Sequence, residues 1–172
     1  MKIKEEKDQI ALLKKVLCFK YLDDNVLRSL KSAGDFIKYK DLEDIVVEHD
    51  DSLHFFAVME GTVTVHVNKQ GQGEVYISSI GSGEVFGEAG IFLKMKRTAT
   101  IRSRGESLIF KIHRQQLIQF INANASSGVK VLMIVIHGLL RKLRESNQEL
   151  AYERRLDAEQ SEIDSLVEEI LK

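Results

Sequence analysis

Between Phe36 and Ile112 the apolar residues fall into short β-branched or aromatic runs: IVVEHD, FFAVMEGTVTVHV, EVYISSI, EVFGE, TATIRS and SLIFKI. Turn-rich breaks separate them, among them HDDS, NKQGQG, GSG and SRGES. In TVTVHV the valines 63, 65 and 67 alternate with Thr and His, the pattern of a strand with one face buried. Strands recurring about every ten residues with no helix between them close on one another as an antiparallel barrel, sandwich or roll. The chain contains no proline, so its turns rest on Gly, Asp, Asn and Ser.

The flanks follow a different repeat. Ile10, Leu13, Val16 and Leu17, then Leu22, Val26, Leu27 and Leu30, stand at helical spacing, with Asp23 or Asp24 where an N-cap belongs. After Ile112, HRQQLIQFINAN predicts a short helix. A long helix follows from about Ala125 to Tyr152, with Leu132, Ile136, Leu139, Leu143 and Leu150 as a heptad stripe. The final segment has its own stripe, Leu156, Ile163, Leu166 and Ile170, but the step from Leu150 to Leu156 is out of register. That predicts a second helix, continuous with a stutter or turned back. The expected fold is mainly β with flanking helices: residues 1–35 a helical lead-in, 36–114 an antiparallel roll, and 115–172 C-terminal helices for dimerisation and docking.

Composition narrows the function classes. At 172 residues with 44% hydrophobic content the chain buries a core, and a net charge of -1 gives no overall basic field for nucleic acid or anionic membrane. The apolar run VLMIVIHGLL at 131–140 is shorter than a membrane span and reads as a buried helix seam. No signal peptide is visible in MKIKEEKDQI, and the lone cysteine, Cys18, reads as a small buried apolar residue; both favour a cytoplasmic setting. The five histidines, 49, 54, 66, 113 and 137, show no metal-ligand spacing, and no nucleophile is paired with a base. The expectation is no metal and no enzyme. Arg141, Lys142 and Arg144 read as the solvated side of the long helix.

The stretch FGEAGIFLKMKRTATI, 86–101, carries the functional signal. Glycines precede a short apolar segment able to form one or two helical turns, where unsatisfied backbone N–H groups favour an anion. Arg97 adds a forked cation suited to phosphate oxygens, and Glu88 is an acceptor for a hydroxyl group. Spacing alone also allows a loop closed by a plain Glu88–Arg97 salt bridge.

This segment resembles the phosphate-binding cassette of cyclic nucleotide-binding domains: Phe-Gly-Glu-x-Ala, a spacer, then Arg-x-Ala-Ser/Thr. The spacing from Phe86 through Arg97 to Thr100 matches an ungapped cassette, and VVEHDDSLHFFAVMEGTVTV, with Asp50 and Gly61, resembles the family's preceding strands. LLKKVLCFKYLDDNVLRSL is similar to the family's helical lead-in, and GLLRKLRESNQEL to the dimer helix of catabolite-activator-type regulators. The resemblance spans about residues 10–152. It implies a β-roll of the jelly-roll type with a long C-terminal dimer helix. It further implies backbone N–H groups from Gly87 and Ala89, Glu88 on the ribose 2′-hydroxyl, Arg97 on the cyclic phosphate, and Thr98 on the phosphate or a guanine edge. Ser146 and Asn147 match a polar pair that contacts adenine, although a register-setting polar layer in the dimer seam accounts for them equally.

Three expected glycines are replaced: Leu42, His49 and Ser52 stand in their places, at turns that the sequence reading puts away from the phosphate. Lys96 replaces the family's frequent proline. Transcription factors of the family carry a helix-turn-helix after the dimer helix, whereas the 20 residues after Tyr152 form an acidic amphipathic segment. The expectation is a stand-alone sensor of cAMP or cGMP: a homodimer signalling through an unidentified protein partner, with no DNA-binding module and no membrane association. A degenerate, nucleotide-independent dimeric scaffold is the alternative.

Overall fold

The structure, a computed structural model, describes residues 6–69, 71, 73–93 and 95–170, with side chains beyond residue 160 and at 6, 153, 156, 158 and 159 left aside. The chain divides into two compact units, Met1–Leu132 and Met133–Lys172.

The first unit opens with α1 (Glu6–Lys15) and α2 (Asp24–Ser32). Asp23 occupies the N-cap of α2 with extended backbone, but its side chain makes no capping bond. Six strands follow among the described residues: β1 (Asp35–Tyr39), β2 (Asp44–Val46), β3 (His54–Lys69), β4 (Gly73–Gly81), β5 (Val85–Phe86) and β6 (Thr100–His113). All pair antiparallel in the order β1-β6-β3-β4, with β2 on β6 and β5 on β3. Between β5 and β6 lies α3 (Glu88–Leu93), and after β6 comes α4 (Arg114–Ala123). The molecule is thus a mainly antiparallel β-roll with N-terminal helices and a long C-terminal helix.

β3 is the spine because both of its faces are buried. Phe56, Val58 and Val63 join Val46, Ile80, Phe86, Ile101 and Ile109 inside the roll. On the alternate face, Phe55 meets Phe19 of the lead-in edge-on at 6.4 Å, and Phe19 meets Phe110 of β6 at 6.3 Å. Leu13, Val16, Leu27 and Leu30 are fully buried under the same face. Each such side chain contributes roughly 1.5–3 kcal/mol of transfer free energy. Cys18 is buried and unpaired, as its apolar neighbours suggest. Thr64 departs from strict alternation: it is buried beside Val63 because its hydroxyl donates to the Arg102 carbonyl at 3.2 Å.

One expectation changes. SRGES does not break the sheet: β6 runs through it, and the register with β3 steps from Thr62↔Arg104 to Glu60↔Leu108 as a bulge. The Ser103 and Ser107 hydroxyls lie 2.7 Å apart and Asp41 accepts the Gly105 N–H at 2.6 Å, so polar groups outside the ladder are satisfied there. Of the two courses expected at the Leu150–Leu156 step, the C-terminal helix takes the continuous one. α5 runs unbroken from Ala125 to Ile170, and the stripe at Leu156, Ile163, Leu166 and Ile170 lies outside the described side chains.

The second unit consists of the α5 residues from Met133 onward. Within 131–140, Val131 and Val135 are buried. Met133, Ile136, Leu140, Leu143 and Leu150 are 47–63% exposed along one helix face. Their spacing of 3, 4, 3 and 7 is a heptad seam, and Asn147 falls in it.

Candidate functional site

The stretch from Val85 to Leu93 folds as a strand, a sharp turn and a short helix. β5 pairs with the start of β3 through Phe56↔Phe86, and the two rings stack at 4.8 Å. Gly87 then takes φ +78, a conformation that L side chains rarely adopt, and a Cβ there would meet the His54 carbonyl at 2.9 Å. Glu88 is the first residue of α3 and Gly90 lies two residues on. A Cβ at Gly90 would meet Arg97 Nη1 at 2.8 Å. Small residues at these positions let a guanidinium lie directly on the turn.

Arg97 and Glu88 are both buried, 6% and 8% exposed. The Arg97 guanidinium is held by three acceptors: Nε donates to Ser52 Oγ at 3.1 Å, Nη1 to the Gly87 carbonyl at 3.1 Å, and Nη2 to the His54 carbonyl at 2.6 Å. Its carbon stands 5.6 Å from the centre of the Phe56 ring. Burial works against the charge and lowers the arginine's proton affinity, while Glu88 and Asp50 oppose that shift. Of the five guanidinium N–H groups, three are committed and two remain for an anion.

The main chain of Arg97 is gripped too. His49 N–H donates to the Arg97 carbonyl at 2.8 Å, and Arg97 N–H donates to the Asp50 carbonyl at 2.9 Å. His49 has φ 71 and Leu42 has φ 64, so the two turns keep the left-handed backbone that glycine would supply without strain. The sequence reading placed the loop around His49 and Ser52 away from the anion site. It instead holds Arg97 by backbone and side chain, because the chain from Val47 to Leu53 passes alongside the arginine before entering β3.

The lead-in reaches the same region. Leu17 N–H donates to the Gly83 carbonyl at 3.0 Å, and burial, with a smaller contribution from Glu88, pushes the Cys18 thiol well above its usual range. Arg114, the first residue of α4, ties in the far end of α3: its Nε donates to the Ile91 carbonyl at 2.7 Å, and its N–H to Leu53 at 2.8 Å.

Of the residues named from sequence, Gly87, Glu88 and Arg97 therefore come together. Ala89 and Thr98 flank the cluster and are exposed. Ser146 and Asn147 are exposed on α5 in the second unit. Sequence reasoning missed Ser52, the His54 carbonyl and the close approach at Gly90. The β3 alternation offers a signal for Phe56, but no periodicity reaches into the loop that carries Ser52. Among the described residues no group of three or more His, Cys, Asp or Glu is placed to hold a metal ion. Among the described residues, no helix is long and apolar enough to cross a membrane.

Comparison with known proteins agrees with this geometry. The family model for the cyclic nucleotide-binding domain matches residues 37–124, just over half of the chain. The potassium channel AKT6 of Arabidopsis thaliana is 24% identical over 132 residues, which are 77% of this chain and 14% of the channel. The chain thus spans only a small part of the channels it matches. A cyclic nucleotide-binding domain from Methylobacillus flagellatus superposes with a TM-score of 0.71 at 21% identity, covering 81% of this chain and 79% of that one. The regulatory domain of Toxoplasma gondii PKA, crystallised with cAMP, gives a TM-score of 0.61 at 21% identity, covering 72% of this chain and 48% of that one. The β-roll, the cassette turn and the family match together place this chain in the cyclic nucleotide-binding domain family.

Proposed function

We propose that this chain is a cyclic nucleotide sensor, with cAMP the first choice of ligand and cGMP the second. The observation that carries the reading is the buried Arg97 laid across Gly87 and Gly90 with Glu88 beside it. An anion with a neighbouring hydroxyl suits that pair: the two remaining N–H groups of Arg97 take phosphate oxygens, and Glu88 accepts the ribose 2′-hydroxyl. The N–H groups of Gly87 and Ala89 complete the phosphate site, and Thr98 borders it. Ser146 and Asn147 supply the contact to the base. The protein acts by binding and not by catalysis, and its setting is cytoplasmic.

The exposed seam of Met133, Ile136, Leu140, Leu143 and Leu150 supports a homodimer through α5. Residues 1–35 serve as lead-in, 36–114 as the sensing roll and 115–172 as the dimerising and docking segment. A ligand with unequal affinity for two states of the protein would shift the population toward one of them and so signal to a protein partner. One observation favours a nucleotide-independent dimeric scaffold: Arg97 already has three protein acceptors, so the cluster holds together without a ligand.

Thermal unfolding with added nucleotide separates the two. A ligand at about 100 times its Kd stabilises by roughly 2.7 kcal/mol, a rise of about 5–10 °C in Tm for a domain of this size. The sensor shows that rise with cAMP or cGMP and little with 5′-AMP. A scaffold shows none with any of them.

A further inference from the structure

We infer that Ser52 is a positioning residue for Arg97, and thereby sets how tightly the site holds a cyclic phosphate; the second half of this statement rests on the function proposed above. Of the three acceptors on the guanidinium, two are main-chain carbonyls, those of Gly87 and His54. Ser52 Oγ is the side-chain acceptor, 3.1 Å from Nε. A carbonyl is present whatever the residue, so Ser52 is the anchor whose strength depends on residue type.

The chemistry of the contact is directional. Nε–H lies in the guanidinium plane, and an acceptor there fixes rotation of the whole fork about the side chain's last bonds. The loop bearing Ser52 is itself fastened to Arg97 through His49 N–H and the Asp50 carbonyl, so the hydroxyl is carried by backbone already in register with the arginine. Ser52 is only partly buried and stands where the family's pattern leads one to expect glycine, which has no hydroxyl to offer. Without it, Nε–H is left in a buried site, and the fork rotates to find another partner. The two N–H groups available to a phosphate then lose their orientation.

The test uses the full chain as wild type, Ser52→Ala, Ser52→Gly and Ser52→Thr, with two readouts. The first is hydrogen exchange of the Arg97 Nε–H by NMR without nucleotide. The second is cAMP affinity by titration, with thermal unfolding to confirm that each variant is folded. The expected result is Nε–H exchange at least tenfold faster in Ser52→Ala and Ser52→Gly, cAMP affinity weakened about tenfold, and both restored in Ser52→Thr, which keeps the hydroxyl. A purely structural serine would lower Tm while leaving exchange and affinity unchanged, and that result overturns the inference. If wild type binds neither cAMP nor cGMP, the nucleotide reading falls with the claim about affinity. The Nε–H exchange then still decides whether Ser52 positions the arginine.

Discussion

The Arg97 guanidinium packs on the backbone of Gly90 so closely that a single methyl group there would stand 2.8 Å from Nη1 and 3.2 Å from the guanidinium carbon. The arginine cannot swing aside freely, since Ser52, Gly87 and His54 all accept from it. Gly90→Ala is therefore expected to leave the roll folded at a cost of about 1–2 kcal/mol. It should weaken cAMP binding at least tenfold, measured by denaturant unfolding alongside titration. Unchanged affinity would mean that the arginine's position does not matter to the ligand.

His49 and Leu42 carry the opposite cost, a side chain where the backbone is left-handed. The conformation costs a non-glycine residue about 1–2 kcal/mol, partly offset by the extra flexibility glycine brings to the unfolded chain. His49→Gly and Leu42→Gly should each stabilise the fold by about 0.5–1 kcal/mol in urea unfolding. A loss of stability would show that the side chains make compensating contacts.

These two residues also show what was legible in the sequence. The period change at Phe36 and Ile112 marks the boundaries of the sheet, and the Phe-Gly-Glu-Ala-Gly and Arg-Thr-Ala-Thr strings mark Gly87, Glu88 and Arg97. The replaced glycines were visible too, yet their backbone is retained and the strain falls on His49 and Leu42. What lay beyond reading was tertiary: Ser52 and Arg97 are 45 residues apart, and their contact follows from how the loop before β3 docks. The bulge in β6 was hidden because glycine and serine, the usual marks of a turn, here satisfy a strand that keeps going. Along α5, periodicity shows that a face is apolar but not what covers it.

His54 links the site to pH. Burial, together with Lys111, His113 and Arg97, lowers its pKa to about 4, and only Asp35 pulls the other way. The unfolded chain, with an ordinary imidazole near about 6.5, takes up the proton first. The stability that neutral His54 contributes is therefore complete above about pH 6.5 and is lost as pH falls toward 4. Urea midpoints measured from pH 7.5 to 4 should fall less steeply in His54→Asn than in wild type. Parallel curves would remove His54 from the account.

Asn147 sits in the exposed apolar seam of α5, and it is also proposed to contact adenine. Asn147→Leu should tighten the dimer, with a dissociation constant at least tenfold lower by sedimentation equilibrium, because the polar layer costs stability. It should weaken cAMP binding about threefold to thirtyfold. A tighter dimer with unchanged cAMP affinity would leave Asn147 a register-setting residue alone.

The most direct measurement is calorimetric titration of cAMP and cGMP into wild type and Arg97→Ala. Removing the arginine strips the Gly87 and His54 carbonyls of a donor, so the variant should lose about 1–3 kcal/mol of stability yet remain folded. Saturable binding of one nucleotide to wild type, weakened at least a hundredfold in the folded variant, is the expected result. No heat from either nucleotide with folded wild type, or equal affinity in the variant, would contradict a cyclic phosphate held by Arg97.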